Sequence, residues 1–448
     1  MRGPFVDPLA IAMARKLGGG GGGVKPSGEI AIDKNGTYDV TQYASANVNV
    51  SGGGGGGDSS KPVRFLDYDG TVVQSYTAEE FAALEAMPEN PDHSGDEIPL
   101  TAQGWNWSLA DAKAYVAKYG ALEVGQTYIT TDGKTHIKIY IDPDTPANRR
   151  VMTLYFSQSV ANGVLVDWGD GTEPTTYSGT SEASHDHEYA QPGWYDITLA
   201  VANGNLGLTG GYNRSVVGWI PGNEYKCNRI RAVRLGSGLK SNAIGNYTFY
   251  NCFNLCDITL PAEMATIGTY AFQYCYSLPG IVLPVGMTNI ASNAFNNCYS
   301  LARIALPGGL ISIGDSALMT CYSLRRVTIP DGVTSIAANA FSRCYCITRL
   351  TFPSGVVDIA NAVLYDCRGL TTFVVHEGVT SIANSAFSGC ISVSEYHLLP
   401  TTPPSLGSSA FSNIPSDCII YVPAASVEDY KAAANWSALA SKIQAEPA

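Results

Sequence analysis

Hydrophobic and polar positions in the C-terminal half of the chain repeat with a period of 23 residues. A column of isoleucines runs from Ile244 to Ile382, and a column of phenylalanines and leucines runs from Phe249 to Phe387. Cysteines mark the same period at Cys252, Cys275, Cys298, Cys321, Cys344, Cys367 and Cys390. One coil of this length cannot bury its apolar face alone, whereas stacked coils bury continuous columns of like side chains. The pattern therefore predicts a solenoid.

The cysteine column raises the question of disulfide bonding. The chain contains 11 cysteines, and a secreted disulfide framework favours an even number. Coils that stack about 4.8 Å apart would not exclude disulfides by distance. A buried free cysteine, however, behaves as a small apolar side chain, which suits a repeated core position. We therefore favour a column of structural thiols.

The repeated unit carries a specific resemblance. The segment IASNAFNNCYSLARIALPGGL resembles the BspA-type leucine-rich repeat of bacterial and bacteriophage surface proteins. The resemblance covers about residues 229–422, and we assign the solenoid domain to residues 204–422. Such a domain is expected to serve binding, with continuous apolar columns inside and polar columns outside.

The last segment, VPAASVEDYKAAANWSALASKIQ, resembles the one that often closes arrays of this repeat. Its spacing predicts an amphipathic helix over Ala424–Ile443. Tyr430, Trp436 and Leu439 would face the last coil. Residues 423–448 are therefore predicted to form a C-terminal helical cap, the kind of element that a solenoid requires at its end.

The N-terminal region is divided by two runs of six glycines. Such runs normally act as flexible linkers. The first run ends a predicted attachment segment, residues 1–23. The second ends a small β module, residues 24–57, in which alternating apolar residues flank a hairpin turn at Asn35–Gly36. This module resembles one that recurs in structural proteins of phages that infect gut bacteria.

Residues 58–147 are predicted to form an α+β module. The strand-like segment VRFLDYDGTVV precedes a predicted helix over Ala78–Ala86. Further along, the apolar pattern predicts two strands that are joined by a hairpin turn at Asp132–Gly133. The module looks like a domain of phage structural proteins that carry such repeats.

Residues 148–203 contain the runs VLVDWGDGT and HDHEYAQPGWYDITLAV. These runs resemble the polycystic-kidney-disease-type (PKD) β-sandwich, whose family members act as spacers or adhesion modules. The fold class that follows is a multidomain protein, mainly β with some α. It would have small N-terminal β modules, a PKD-like sandwich, and a C-terminal leucine-rich-repeat solenoid with its helical cap.

Composition narrows the possible partners. The net charge is 27 − 39 = −12, so the phosphate backbone of a nucleic acid would be repelled. No run of 18 apolar residues occurs, so no membrane span is expected. The apolar stretch Leu9–Ala14 is too short for a signal peptide, and a glycine run rather than a cleavage site follows it.

Candidate catalytic and metal-binding residues are few. The run LDYDGT resembles the nucleophile loop of haloacid-dehalogenase-type phosphatases, in which Asp67 and Asp69 would hold Mg²⁺ and attack phosphate. The lysine and the second acidic pair that this chemistry needs do not follow, so we predict a strand and a turn. His185 and His187 alone do not close a zinc site, and the run DWGDGT is not an EF-hand loop. We therefore expect no enzymatic activity, no metal and no cofactor.

Two exposed columns of the repeat are candidates for ligand binding. Arg303, Arg326 and Arg349 would project from one face of successive strands. Like charges in a stack are unfavourable, so this column suggests a partner carboxylate, sulfate or sugar acid, unless the arginine stems simply cover the sheet. The second column consists of Tyr276, Tyr299, Tyr322 and Tyr345. Tyrosines suit carbohydrate or protein recognition, although stacked rings could equally serve only to stiffen the solenoid.

These observations predict a non-enzymatic bacteriophage virion protein of the tail-fibre, baseplate or head-decoration type. Its N-terminal region would attach to other virion proteins, and its repeats would bind a host-surface glycan or protein. We expect the protein on the surface of the phage particle, as a homo-oligomer. A bacterial cell-surface adhesin with the same repeats is the alternative. A phosphatase, suggested by the LDYDGT run, is a third possibility.

Overall fold

The fold was analysed in a computed structural model that describes residues 60–158, 163–177, 179–181, 183–201, 206–208, 229–239 and 243–447. The predicted attachment segment, residues 1–23, and the predicted small β module, residues 24–57, lie outside these residues. Within the described ranges, no helix is long and apolar enough to cross a membrane.

The first described part is an α+β module. Its strands are β1 (Val63–Leu66), β2 (Val72–Tyr76), β3 (Leu100–Trp105) and β4 (Leu122–Thr130), and its helices are α1 (Ala78–Ala82) and α2 (Leu109–Tyr119). The sheet has the order β2-β1-β4-β3, in which only the β1–β4 pair is parallel. Phe81 and Val116 from the helices pack with Phe65 and Val124 from the sheet. Helix α1 ends before the predicted Ala86.

A β-sandwich follows the module. Its strands are β5 (Thr135–Ile141), β6 (Val151–Gln158), β7 (Val164–Asp167), β8 (Thr175–Thr176), β9 (Ala183–Glu188), β10 (Gly193–Val201) and β11 (Leu206–Gly207), with a 3₁₀ turn at Ala147–Arg149. One sheet contains β5-β10-β7-β8 and the other contains β11-β6-β9. Trp168 is buried between them and its carbonyl accepts from the Tyr189 hydroxyl at 2.9 Å. The assignment of this sandwich to the PKD family stays a prediction.

The predicted hairpin at Asp132–Gly133 is wrong. Gly133 does make a tight turn, with a φ of 72° that glycine adopts without strain. The flanking strands, however, enter different sheets: β4 pairs with β1 and β3, whereas β5 pairs with β10. The sandwich therefore begins at β5, before the predicted boundary at residue 148.

The C-terminal region is a solenoid of parallel strands in two columns. The first column contains β12 (Ile230–Arg234), β14 (Asp257–Thr259), β16 (Gly280–Val282), β18 (Arg303–Ala305), β22 (Thr372–Val375), β24 (Glu395–Leu398) and β26 (Ile419–Val422). The second contains β13 (Ala243–Ile244), β15 (Thr266–Ile267), β17 (Asn289–Ile290), β19 (Ser312–Ile313), β20 (Ser335–Ile336), β21 (Asp358–Ile359), β23 (Ser381–Ile382) and β25 (Ser405–Leu406). The predicted solenoid is thus confirmed.

Turn segments link the coils on the side that follows the second column. In one coil, Asn293 and Asn297 adopt left-handed conformations, with φ angles of 57° and 62°. The N–H of Phe295 in this segment donates to the carbonyl of Ala317 in the next coil at 2.9 Å. The same contact recurs along the array, so turn segments as well as strands join neighbouring coils by backbone hydrogen bonds.

The sandwich closes the first end of the solenoid. Strand β5 pairs antiparallel with β12, and β12 pairs parallel with β14. The sandwich sheet and the first strand column therefore form one continuous sheet in the order β14-β12-β5-β10-β7-β8. Their buried side chains form one hydrophobic core. This arrangement covers the strand edge that the first coil would otherwise expose.

The other end is closed by a mixed segment, so the continuous helix predicted over Ala424–Ile443 is wrong. The chain forms a 3₁₀ turn, a short helix, a second 3₁₀ turn and a strand: Ala424–Ser426, α3 (Val427–Ala432), Ser437–Lys442 and β27 (Ile443–Ala445). The helix ends because Ala433 is extended. Strand β27 pairs parallel with β26 and satisfies its open edge. Tyr430 and Trp436 are fully buried, as predicted for the face towards the last coil.

The α+β module packs on the first strand column of the solenoid through buried hydrogen bonds. The side-chain amide of Asn106 donates to the carbonyls of Leu283 at 3.1 Å and Ala305 at 3.2 Å. The indole N–H of Trp107 donates to the carbonyl of Leu306 at 2.8 Å. Adjacent side chains of one loop therefore hydrogen bond with two neighbouring coils of the solenoid.

Two glycines allow the close approach of the module. A Cβ at Gly280 of the solenoid would collide with the carbonyl oxygen of Asp69. A Cβ at Gly125 of the module would collide with the side chain of Val282. Leu66 of the module packs in the same small apolar contact with Val282. The two backbones therefore meet where a larger residue would separate them.

We expect Asn106→Leu to lower the free energy of unfolding by about 2–3 kcal/mol, because buried polar groups on the solenoid would lose their donor. Urea unfolding monitored by tryptophan fluorescence measures the change. Asn90→Leu, at an exposed position of the same module, is the control and should change stability by less than about 0.5 kcal/mol. Equal stability of the two variants would show that the Asn106 contacts do not hold the module in place.

Candidate binding surfaces

The first member of the arginine column, Arg303, lies on β18 of the first strand column. Arg303 and Arg326 are neighbours in a parallel bridge. Arg303 is half-buried, and its guanidinium donates to the carbonyl of Gly70 in the α+β module at 2.8 Å. Arg326 and Arg349 are exposed. The structure therefore divides the column: its first member contacts the module, and the other two face solvent.

A buried glutamate of the module lies beside this column. Glu123 and Arg64 have side chains only 5% and 6% exposed, and their nearest charged atoms are 3.7 Å apart. Burial raises the pKa of Glu123, while attraction to Arg303, Arg64 and Arg326 acts in the opposite direction. Burial has the larger effect, so the pKa of Glu123 is raised, and the chain itself places an acidic side chain close to Arg303 and Arg326. Sequence reasoning attributed this role to an outside ligand, and ligand binding by the column stays a prediction.

The tyrosine column is a continuous stack. Ring centroids are 4.5 Å apart for Tyr276 and Tyr299, 4.8 Å for Tyr299 and Tyr322, and 4.7 Å for Tyr322 and Tyr345. Interplanar angles of 11–18° make the rings nearly parallel. Phe253 extends the stack by one ring at 4.8 Å. Stacked aromatic pairs of this kind contribute to packing beyond the area that they bury.

The stack ends on a cation. The guanidinium of Arg368 lies 4.9 Å from the ring centroid of Tyr345 and pairs with the carboxylate of Asp366. The hydroxyl of Tyr345 also points at Asp366, at 3.4 Å. Burial, with Tyr322 and Asp366 nearby, raises the pKa of Tyr345 to about 12. The tyrosine column has partners within the chain at this end, and its role in ligand binding stays a prediction.

The column cysteines are buried thiols. The thiol of Cys298 donates to the carbonyl of Phe272 at 3.2 Å, and the thiol of Cys321 donates to the carbonyl of Phe295 at 3.3 Å. Burial raises the pKa of both thiols well above its ordinary value. Neutral, hydrogen-bonded thiols match the structural role that we favoured over disulfides.

The LDYDGT run forms a turn in the contact with the solenoid. Asp69 accepts from the backbone N–H of Thr71 at 2.7 Å and from its hydroxyl at 2.9 Å, so it stabilises its own turn. Asp67 lies 2.9 Å from the ring of His93. Gly70, between Asp69 and Thr71, is covered by Arg303. These contacts are those of a packed turn, in agreement with the strand-and-turn prediction.

His185 and His187 lie on β9 of the sandwich. His187 is 2.8 Å from the carboxylate of Asp170 and stacks on Trp168 at 4.8 Å. Asp167 accepts from the backbone N–H of Gly169 at 2.9 Å, within the turn. Among the residues that the structure describes, no group of three His, Cys, Asp or Glu side chains could hold a metal ion.

Two features were missed by sequence reasoning. The first is the contact with the module through Glu123 and Asn106. A signal for it was present, because Gly280 interrupts a column that has Asp257 before it and Arg303 after it. The second is a polar cavity of about 310 Å³ on the turn segments of the solenoid. Its lining residues are Met319, Asn339, Ser342, Arg343, Asn361, Ala362, Tyr365 and Ser385.

A capped solenoid with exposed polar columns defines a repeat-type binding scaffold. Residues 242–371 and 357–434 match the family model of the BspA type leucine rich repeat region, in six copies. The C-terminal part of the chain is therefore similar to BspA-type leucine-rich-repeat regions over these residues. No curated protein matches the chain significantly.

Solved structures similar to the chain include bacterial leucine-rich-repeat proteins. One from Bacteroides ovatus is 20% identical, with a TM-score of 0.39, and the match covers 53% of this chain and 61% of that one. The Treponema pallidum (T. pallidum) leucine-rich-repeat protein is 29% identical, with a TM-score of 0.31 and coverages of 42% and 79%. A leucine-rich cell surface protein from Faecalibacterium prausnitzii is 17% identical, with a TM-score of 0.21 and coverages of 63% and 95%. The match thus spans less than two thirds of the Bacteroides ovatus protein.

His93 holds the contact turn through two carboxylates. Its ring nitrogens lie 2.9 Å from Asp67 and 2.8 Å from Asp96, and its ring contacts Tyr68 and Tyr128 at centroid distances of 5.3 and 5.0 Å. Burial lowers the pKa of His93, but attraction to the two carboxylates outweighs it, and the pKa is raised. Protonated His93 therefore stabilises the folded module.

We expect this stabilisation to be complete below about pH 6.5 and to be lost as pH rises through the higher folded pKa of His93. His93→Gln should therefore destabilise the protein more at about pH 6 than at about pH 9. Urea midpoints at both pH values measure the difference. The control is His376→Gln, because the ring of His376 hydrogen bonds with backbone groups. A pH-independent cost of His93→Gln would contradict the assignment.

Proposed function

We propose that this protein is a non-enzymatic binding protein that presents its solenoid on a surface and contacts a host-cell glycan or protein. The observation that carries the proposal is the division of the first strand column. The module covers the coils that bear Gly280 and Arg303, and the outward side chains of later coils remain exposed. We name the exposed set, Arg326, Arg349, Thr351 and Val374, the open strand face.

The chemistry of the open strand face suits an anionic or mixed ligand. Arg326 and Arg349 offer exposed guanidiniums that can bind carboxylate or sulfate in a forked geometry. Thr351 adds an exposed hydroxyl, and the side chain of Val374, which is 42% exposed, adds an apolar contact. Such a strip would bind by charge and contact area and requires no covalent chemistry.

We further propose a bacteriophage particle as the surface that carries the protein. The resemblance of residues 24–57 and 58–147 to modules of phage structural proteins supports this proposal. The N-terminal region would attach to other virion proteins, as a homo-oligomer, and the solenoid would point outward. A bacterial cell surface is the alternative carrier, and a BspA-type repeat region is equally consistent with it.

Immunogold electron microscopy with an antibody against residues 229–448 tests the carrier. We expect gold on tail tips, baseplates or head fibres of purified virions. The matched control is a phage from which the gene has been deleted, which should carry no gold. Gold on bacterial cell walls, with none on particles, would overturn the virion proposal and establish the adhesin alternative.

The open strand face is tested by binding of the full-length, fluorescently labelled protein to host cells. We expect Arg326→Ala combined with Arg349→Ala to weaken binding at least tenfold, because two exposed cations are removed. Lys134→Ala, which removes an exposed cation from the module–sandwich turn, should leave binding unchanged. Equal binding of the double variant and the native protein would exclude the open strand face as the contact surface.

A further inference from the structure

The polar cavity of about 310 Å³ lies on the turn segments, apart from the open strand face. It forms where the repeat carries small residues. Ala362 lines it, and the matching positions four and five coils earlier are Tyr270 and Tyr247, whose rings stack at 4.8 Å. Asn339, Ala362 and Ser385 occupy this position in three successive coils, and all three line the cavity with side chains smaller than a tyrosine ring. The cavity is therefore a local feature of this part of the array.

An arginine without an opposite charge borders the cavity. Arg343 lies over the ring of Tyr365, 5.9 Å from its centroid. The carboxylate one coil further along the same column, Asp366, is held instead by Arg368, at 2.9 and 3.2 Å. Within the described part of the chain, Arg343 makes no ion pair. Its charge is thus available at the mouth of the cavity.

Neutral polar groups surround this cation. Asn339 and Asn361 line the cavity, and their side-chain amides make no hydrogen bond with any residue that the structure describes. Ser385 adds a hydroxyl, and Tyr365 adds a half-buried ring with a hydroxyl at its edge. A cation, two amides and an aromatic ring around one small space are groups that orient a polar ring-shaped ligand.

We propose that this cavity binds an acidic monosaccharide, a six-membered sugar ring that bears a carboxylate. The carboxylate would pair with Arg343, the ring would lie against Tyr365, and the hydroxyls would bond with Asn339 and Asn361. The volume is near the lower end of the range of small-molecule sites, about 300–1,000 Å³, and so admits one sugar unit. This site is separate from the open strand face, so either can fail without the other.

Isothermal titration of the full-length protein with glucuronate, glucose and acetate tests the site. Glucuronate should bind. Glucose lacks the carboxylate and acetate lacks the sugar ring, so each should bind at least tenfold more weakly. Arg343→Gln should weaken glucuronate binding at least tenfold, and Tyr365→Ala should also weaken it. Lys134→Gln, at an exposed cation outside both the cavity and the open strand face, is the matched control and should have no effect.

Each other outcome overturns the assignment. If glucuronate does not bind, the cavity is not a sugar-acid site. If acetate binds as tightly as glucuronate, Arg343 is a simple anion contact and the sugar ring is not recognised. If Lys134→Gln weakens binding as much as Arg343→Gln, the ligand lies elsewhere. If the native protein and Arg343→Gln unfold at the same temperature, weaker binding by the variant is not caused by a loss of folding.

Discussion

The covering of the two strand edges at the ends of the solenoid is the constraint on which the rest of the structure depends. A terminal coil leaves backbone N–H and C=O groups without a neighbouring strand. Strand β5 bonds to β12 at one end, and β27 bonds to β26 at the other. Because β5 also pairs with β10, the sandwich and the solenoid share a sheet and a core.

The position of the α+β module follows from the same strand. Only a short turn separates the end of β4 at Thr130 from the start of β5 at Thr135, so β4 must lie close to the first strand column. Gly125 on β4 then meets the solenoid backbone, and Glu123 arrives beside Arg303. Burial raises the pKa of Glu123 there, and the neighbouring guanidiniums act in the opposite direction without reversing the shift.

The sequence determines the parts of the fold that depend on its period. The cysteine column, the stacked Tyr276 and Tyr299, and the buried Tyr430 and Trp436 all lie where the spacing predicts. The pairing of β5 and the contact of Glu123 with the arginines join residues far apart in the chain, and no local pattern encodes such contacts. The prediction of a continuous helical cap was wrong for a related reason. The helical spacing is correct at Val427–Ala432, but residues further on form a strand that pairs with the open edge of β26.

One part of the arginine column is contacted by the module of the same chain, and the other part is exposed to solvent. Stacked like charges repel one another, and the repulsion grows with each added coil. Glu123 lies beside Arg303 and Arg326, where the module covers or borders the column, and attraction to these arginines lowers its pKa against the larger effect of burial. Arg349 lies one coil further and remains exposed. The module therefore contacts the stack at its covered end, and Arg349 keeps an exposed guanidinium at the other.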